Sequence, residues 1–253
     1  MSADDRFPVI DRQICNQCQK CVAICPQQAL LVDGVRPLRM TDERPVSPEA
    51  LEALMARRRS IKRFADRPIP RALLERIAQS GRYAPNQYKN IDAIIVDDPL
   101  LLSEIDRGAL GSVRRWYRIL FGFRPLTWFC SLFSEDLFVI KKKMERDLFT
   151  RGRIMKPGTK ALILLTGDPR VSMTRASAQY LLANMILYAQ THGVSSCLMD
   201  SLRLTLTSSK MKRRLTIASR DTVLGVLSLG YSAERIVNIP EGYRLNIRWN
   251  AGR

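Results

Sequence analysis

The sequence predicts an α+β protein in which one main domain follows a small module built on cysteines. Three observations lead there. Four of the six cysteines fall within residues 15–25. After residue 46 the chain alternates capped amphipathic helices with short apolar runs that suit strands, Ile91–Val96 and Val223–Leu229 among them. At 253 residues and 46% apolar composition, it is long enough to bury a substantial core.

The cysteine run comes first. Cys15, Cys18, Cys21 and Cys25, followed by Pro26, spell C-x2-C-x2-C-x3-C-P, the bacterial ferredoxin run that ligates a 4Fe-4S cluster. Thiolates at every third position can wrap a tight loop around one cluster, and Pro26 turns the chain away. A four-cysteine zinc site pairs two C-x2-C units across a longer loop, so this spacing favours iron–sulfur. With no second run, Cys25 either folds back onto the same cluster or serves another purpose. The remaining thiols, Cys130 and Cys197, sit in apolar surroundings and read as core residues. Gln28–Gly34 reads as a short strand ending in a turn. Residues 35–46 have linker composition, which bounds a ferredoxin-like module at 1–45 and the main domain at 46–253.

Composition narrows the function classes. Clustered cysteines argue against a disulfide scaffold. A single histidine, His192, leaves little for histidine zinc sites or hydrolytic triads. The acidic N-terminal residues are no secretory signal, and Ile119–Phe133 is too short and too interrupted by Arg124 and Pro125 to span a bilayer. A cytoplasmic protein is expected. The net charge of +17 suits an acidic partner, anionic lipid or a phosphate-bearing cofactor; no nucleic-acid reading motif accompanies it.

In the main domain, Ser47-Pro48-Glu49 opens a helix with a cap, a proline in the first turn and an acid at the positive dipole end. Leu51, Leu54 and Met55 share its apolar face. A second helix turns Leu73, Leu74, Ile77 and Ala78 inward and closes at Gly81. Between them lies Arg57-Arg58-Arg59-Ser60-Ile61-Lys62-Arg63-Phe64, then Asp66-Arg67-Pro68-Ile69-Pro70. Clustered guanidinium groups and a hydroxyl at a helix end suit a phosphate dianion.

That basic stretch resembles the opening of the FMN-dependent nitroreductase family. Three later segments are similar to family elements in the same order. They are Tyr83-Ala84-Pro85-Asn86-Gln87-Tyr88-Lys89-Asn90, the Ala176–His192 helix with its Gly193–Asp200 continuation, and Val223–Tyr231. The resemblance implies a nitroreductase-like mixed sheet flanked by helices, and an intertwined homodimer with flavin at the subunit interface. It implies FMN held by Arg58, Arg59, Ser60 and Lys62, with Asn86, Lys89 or Asn90 touching the ring. Asp200 and Ser201 would present backbone to flavin N5, and Arg244, with Arg248 close behind, would complete the phosphate site. Residues 86–90 depart from the family spacing, so the ring-contacting residue stays open among the three. No G-x-G-x-x-G or P-loop is present, consistent with a mononucleotide flavin. No catalytic side chain stands out.

Residues 101–157 have no family counterpart. They combine eight Trp, Tyr and Phe residues, Trp116 to Phe138, with twelve Arg and Lys between Arg107 and Lys156. A helical excursion packing on its own domain or on a dimer partner is expected; a lid over the flavin or a peripheral membrane contact are the functional readings. The leading function is an oxidoreductase passing electrons between the 4Fe-4S cluster and FMN to reduce a small nitroaromatic, quinone or enone. Its electrons would come from an acidic donor protein (ferredoxin or flavodoxin) or from NAD(P)H. The alternatives are an NAD(P)H-dependent enzyme with a structural or vestigial cluster, and a basic metal-bearing binding module for membrane or nucleic acid.

Overall fold

The computed structural model describes residues 2–4, 7–11, 13–32, 34–40, 46–85, 90–122, 137–240 and 245–249. The chain starts with a two-stranded antiparallel pair, β1 (Ser2–Asp4) and β2 (Phe7–Val9). A single helical turn follows, α1 (Lys20–Ala23). The Gln28–Gly34 strand is not formed. Val32 and Val35 instead make an isolated bridge around Gly34, whose φ of +78° suits a tight turn.

The main body is a four-stranded antiparallel sheet in the order β3 (Ile91–Val96), β4 (Ala161–Gly167), β6 (Thr222–Gly230), β5 (Ser195–Leu198). Among the described residues, parallel pairing enters only through the isolated bridge Ser60–Ser196. Strand β4 is buried on both faces along its whole length, as its unbroken apolar run Ala-Leu-Ile-Leu-Leu requires. Leu162 and Leu164 enter one core, shared with Ile61, Phe64, Cys197 and Val226. Ala161, Ile163 and Leu165 enter the other. Each buried leucine contributes about 1.5–3 kcal/mol relative to exposure.

Helices cover both faces. Helix α2 (Pro48–Arg57) is capped by the Ser47 hydroxyl, which accepts the Ala50 N–H at 3.2 Å. Its expected apolar face is not buried within this chain: Leu51 and Met55 are exposed. Helix α3 (Arg71–Ser80) buries Leu74 and Ile77 as its periodicity predicts. Together with α6 (Thr174–Thr191), which supplies Leu181, Leu182 and Met185, it forms the second core. The opposite core is closed by α4 (Pro99–Phe121), whose Leu102, Ile105 and Ala109 face inward, and by α7 (Arg203–Leu206) and α8 (Ser209–Arg214). Between α4 and α6 lies α5 (Leu137–Glu145), continued by a π-helical turn, Arg146–Arg151, that buries Leu148. The described parts of 101–157 therefore pack on their own domain. Phe123, Trp128, Phe129, Cys130 and Phe133 lie outside the described residues.

Candidate functional site

The basic stretch at the end of α2 is fixed by backbone and by two apolar anchors. Arg58 leaves the helix in an extended conformation. Ser60 bridges to Ser196, and the Ile61 N–H donates to the Ser196 carbonyl at 3.0 Å. Ile61 and Phe64 are buried, so the residues between and before them are turned outward. The Phe64 N–H donates to the Pro157 carbonyl at 2.9 Å and the Ala65 N–H to Tyr231 at 2.7 Å. Gln190 on α6 donates to the Leu54 carbonyl at 2.9 Å, tying the end of α2 to the same place.

A recess of about 130 Å³ results, lined by Arg57, Arg58, Arg59, Gly193, Ser195 and Ser196 among others. Three guanidinium-bearing residues and two serines around a small recess are a donor set that suits a phosphate group. Arg58, Arg59 and Ser60 thus lie along the start of β5. Arg57, Ser195 and Ser196 join them; all three stood in the quoted motifs without a role.

Lys62 is exposed beyond this recess. It acts electrostatically on Cys197, the buried thiol of β5. Burial pushes that thiol's pKa up, and the charges of Lys156 and Lys62 oppose the shift. Asp200 and Ser201 start the 3₁₀ turn Asp200–Leu202 directly after β5, both exposed, with Leu202 buried beneath them. The Asp200–Arg203 ion pair is loose, at 3.9 Å, and open to water.

Asn90 is placed elsewhere. It precedes β3, at the far edge of the sheet from β5, and its Nδ2 donates to the Thr174 hydroxyl at 2.6 Å. Its Oδ1 is buried without a partner. Within one chain it does not meet the basic stretch. Asn86, Lys89 and Arg244 lie outside the described residues, and Arg248 is exposed.

The cysteine loop carries left-handed residues at Gln17 and Gln19, with a third at Gln28 just after it. The Cys25 thiol accepts the Ala29 N–H at 3.4 Å. That bond, aided by backbone donors at Gln27, Leu30 and Gln28, lowers its pKa against the opposing effect of burial. Among the described residues, however, no group of three or more Cys, His, Asp or Glu side chains converges into a metal site. Cys15, Cys18, Cys21 and Cys25 are not drawn together here as a ligand set.

The fold is that of nitroreductases solved with bound FMN. A nitroreductase with bound FMN from Bacteroides fragilis NCTC 9343 matches at TM-score 0.61 and 19% identity, over 81% of this chain and 100% of that one. An FMN- and NADPH-dependent nitroreductase from sphigopyxis sp. strain HMH matches at 0.53 and 18%, over 79% and 98%. Oxidized iodotyrosine deiodinase bound to FMN and 3-iodo-L-tyrosine matches at 0.56 and 17%, over 79% and 99%. No family model and no curated protein sequence matches the chain.

Proposed function

We propose that this chain is a flavin-dependent oxidoreductase whose FMN phosphate is held by Arg58, Arg59 and Ser60. The observation that carries the reading is the basic recess between the end of α2 and the start of β5, in a fold shared with FMN-bound nitroreductases. FMN supplies two-electron redox chemistry at its ring. The chain's own residues supply the rest. The guanidinium groups neutralise the phosphate, and the Ser60 hydroxyl and the backbone around Ser195 and Ser196 donate to it. Lys62 carries the positive charge that favours an electron-rich ring. The turn at Asp200 and Ser201 offers backbone toward the ring, and Arg244 or Arg248 adds a further cation to the phosphate.

The strand order favours a homodimer. Because Asn90 precedes β3 while the basic stretch lies along β5, at the opposite edge of the sheet, a flavin that met both would draw them from two copies. Exposed Leu51, Met55, Leu245, Ile247 and Trp249 are apolar surface such a partner would cover.

The N-terminal module carries the 4Fe-4S cluster in this reading, on the strength of its spacing and of the backbone donors around Cys25. Within described residues 10–40 no side chain is buried, and Ile14, Leu38 and Met40 stand in water. A segment of this size with no core needs a metal or a partner to fold. In the second reading NAD(P)H reduces the flavin directly and the cluster is structural or vestigial; FMN- and NADPH-dependent neighbours support it. The physiological reductant divides the two; the substrate is a small organic acceptor of the nitroaromatic, quinone or enone class.

Anaerobic purification with iron, sulfide and released-flavin analysis tests both parts. FMN near one per chain is expected, with iron and sulfide near four each if the cluster is present. In the double variant Arg58→Ala/Ser60→Ala, flavin is expected to fall at least tenfold while iron is unchanged. Stoichiometric flavin in that variant would sink the site assignment. Zinc without flavin would overturn the redox function itself.

A further inference from the structure

A larger cavity, of about 500 Å³, opens behind the Ser60–Phe64 stretch, between the start of α4, the 153–160 segment and Pro68–Ile69. Its size is that of a small-molecule site. Part of its wall is apolar: Pro68, Ile69, Pro99, Leu102 and Met155.

Most of its charged groups are already committed. Asp97 is held by Arg71 through two bonds, of 2.6 and 3.2 Å. Asp106 accepts the N–H groups of Ile154 and Met155 at 2.8 and 2.7 Å. Lys160 is paired with Asp66. Two cations remain, Arg153 and Lys156. Neither side chain has a hydrogen bond or an ion pair with any described group.

The carboxylate that acts electrostatically on Lys156, Asp147, is engaged by Arg146 and Arg151 at 3.7 and 3.5 Å. Lys156 is half-buried, and desolvation is the main cause of its lowered pKa. A partly desolvated ammonium whose neighbouring carboxylate is held by two other cations is costly, and an anionic ligand reduces that cost.

We propose that this cavity binds a small organic carboxylate, with Arg153 and Lys156 holding the carboxylate and the Ile69, Leu102 and Met155 side chains packing its apolar body. The site is separate from the phosphate recess and does not rest on the flavin reading. Neither cation was singled out by the sequence, where both are lost among the twelve basic residues between Arg107 and Lys156.

Calorimetry with benzoate on the purified full chain tests it, with benzamide as the neutral isostere and inorganic phosphate as the anion without an apolar body. Benzoate is expected to bind at least roughly tenfold more tightly than either control. Arg153→Gln and Lys156→Met should each weaken benzoate by roughly tenfold or more while the flavin content stays at the wild-type level. Benzamide or phosphate binding as well as benzoate would overturn the proposal, as would no benzoate binding or unchanged binding in both variants. Arg153 is exposed, so its variant folds even if Lys156→Met does not. Because flavin is counted separately, loss of benzoate binding with flavin retained and loss of flavin with benzoate binding retained are different results.

Discussion

Three arginines in a row at a helix end are not equivalent. The Arg59 guanidinium turns back and donates to the Arg58 carbonyl at 2.5 Å, so part of its hydrogen-bonding capacity is spent on its own chain. Arg58 has no such engagement among the described residues and lines the recess, which makes it the group with most to give an incoming phosphate. Elsewhere a guanidinium sets a neighbour's acidity. Arg170 grips Asp168 through Nε at 2.9 Å and Nη2 at 2.7 Å, and its own N–H also donates to the carboxylate. These bonds lower the Asp168 pKa from 3.8 to about 2. With the folded value below the unfolded one, the stabilisation is fully present above about pH 4 and is lost as pH falls through about 2. Carboxyl NMR should place the Asp168 midpoint near 2 and return it toward 3.8 in Arg170→Met. An unchanged midpoint in the variant would refute the pairing.

At the scale of elements, the turn before β4 controls where the basic stretch lies. Gly158 has φ +77°, and a Cβ there would run into the Phe64 carbonyl. A Cβ on Gly230, at the end of β6, would meet the Phe64 side chain at 2.6 Å. Phe64 is thus gripped by two glycines, and the Ser60–Lys62 residues inherit their position from it. Gly158→Ala should cost on the order of 2–3 kcal/mol in denaturant unfolding and reduce flavin retention in the same preparation. Wild-type stability with full flavin would contradict that account.

Legibility followed the range of the interactions. The Ser47 cap, the inward face of α3 and the apolar strands β3 and β6 depend on near neighbours or strict periodicity, so they could be read. The apolar face of α2 could not be placed, because Leu51 and Met55 find no cover within one chain. The Gln28–Gly34 run has the composition of a strand, but among the described residues it pairs only at Val32, with Val35. In the site, Arg58, Arg59 and Ser60 were marked by their own clustering, whereas Lys156 acquires its burial from segments distant in sequence.

For the whole molecule, the placement of Asn90 and the basic stretch at opposite sheet edges favours the proposed site shared between two copies. Co-expressing Arg58→Ala/Ser60→Ala chains with Asn86→Ala/Lys89→Ala chains then has a definite outcome. In a mixed dimer one site carries all the substitutions and the other carries none. Random pairing would restore flavin to about a quarter of sites. A site built within one chain would regain nothing.

The continuous burial of β4 has a cost outside the native state. Ala161–Leu165 is a short, uncharged, β-prone run, the kind of segment that seeds intermolecular cross-β stacking when a chain is newly synthesised or refolding. Lys160 stands immediately before β4, and Asp168, Pro169 and Arg170 immediately after it. The lysine that pairs with Asp66 and the aspartate that pairs with Arg170 in the folded protein are, in the unfolded chain, the gatekeepers of this aggregation-prone segment.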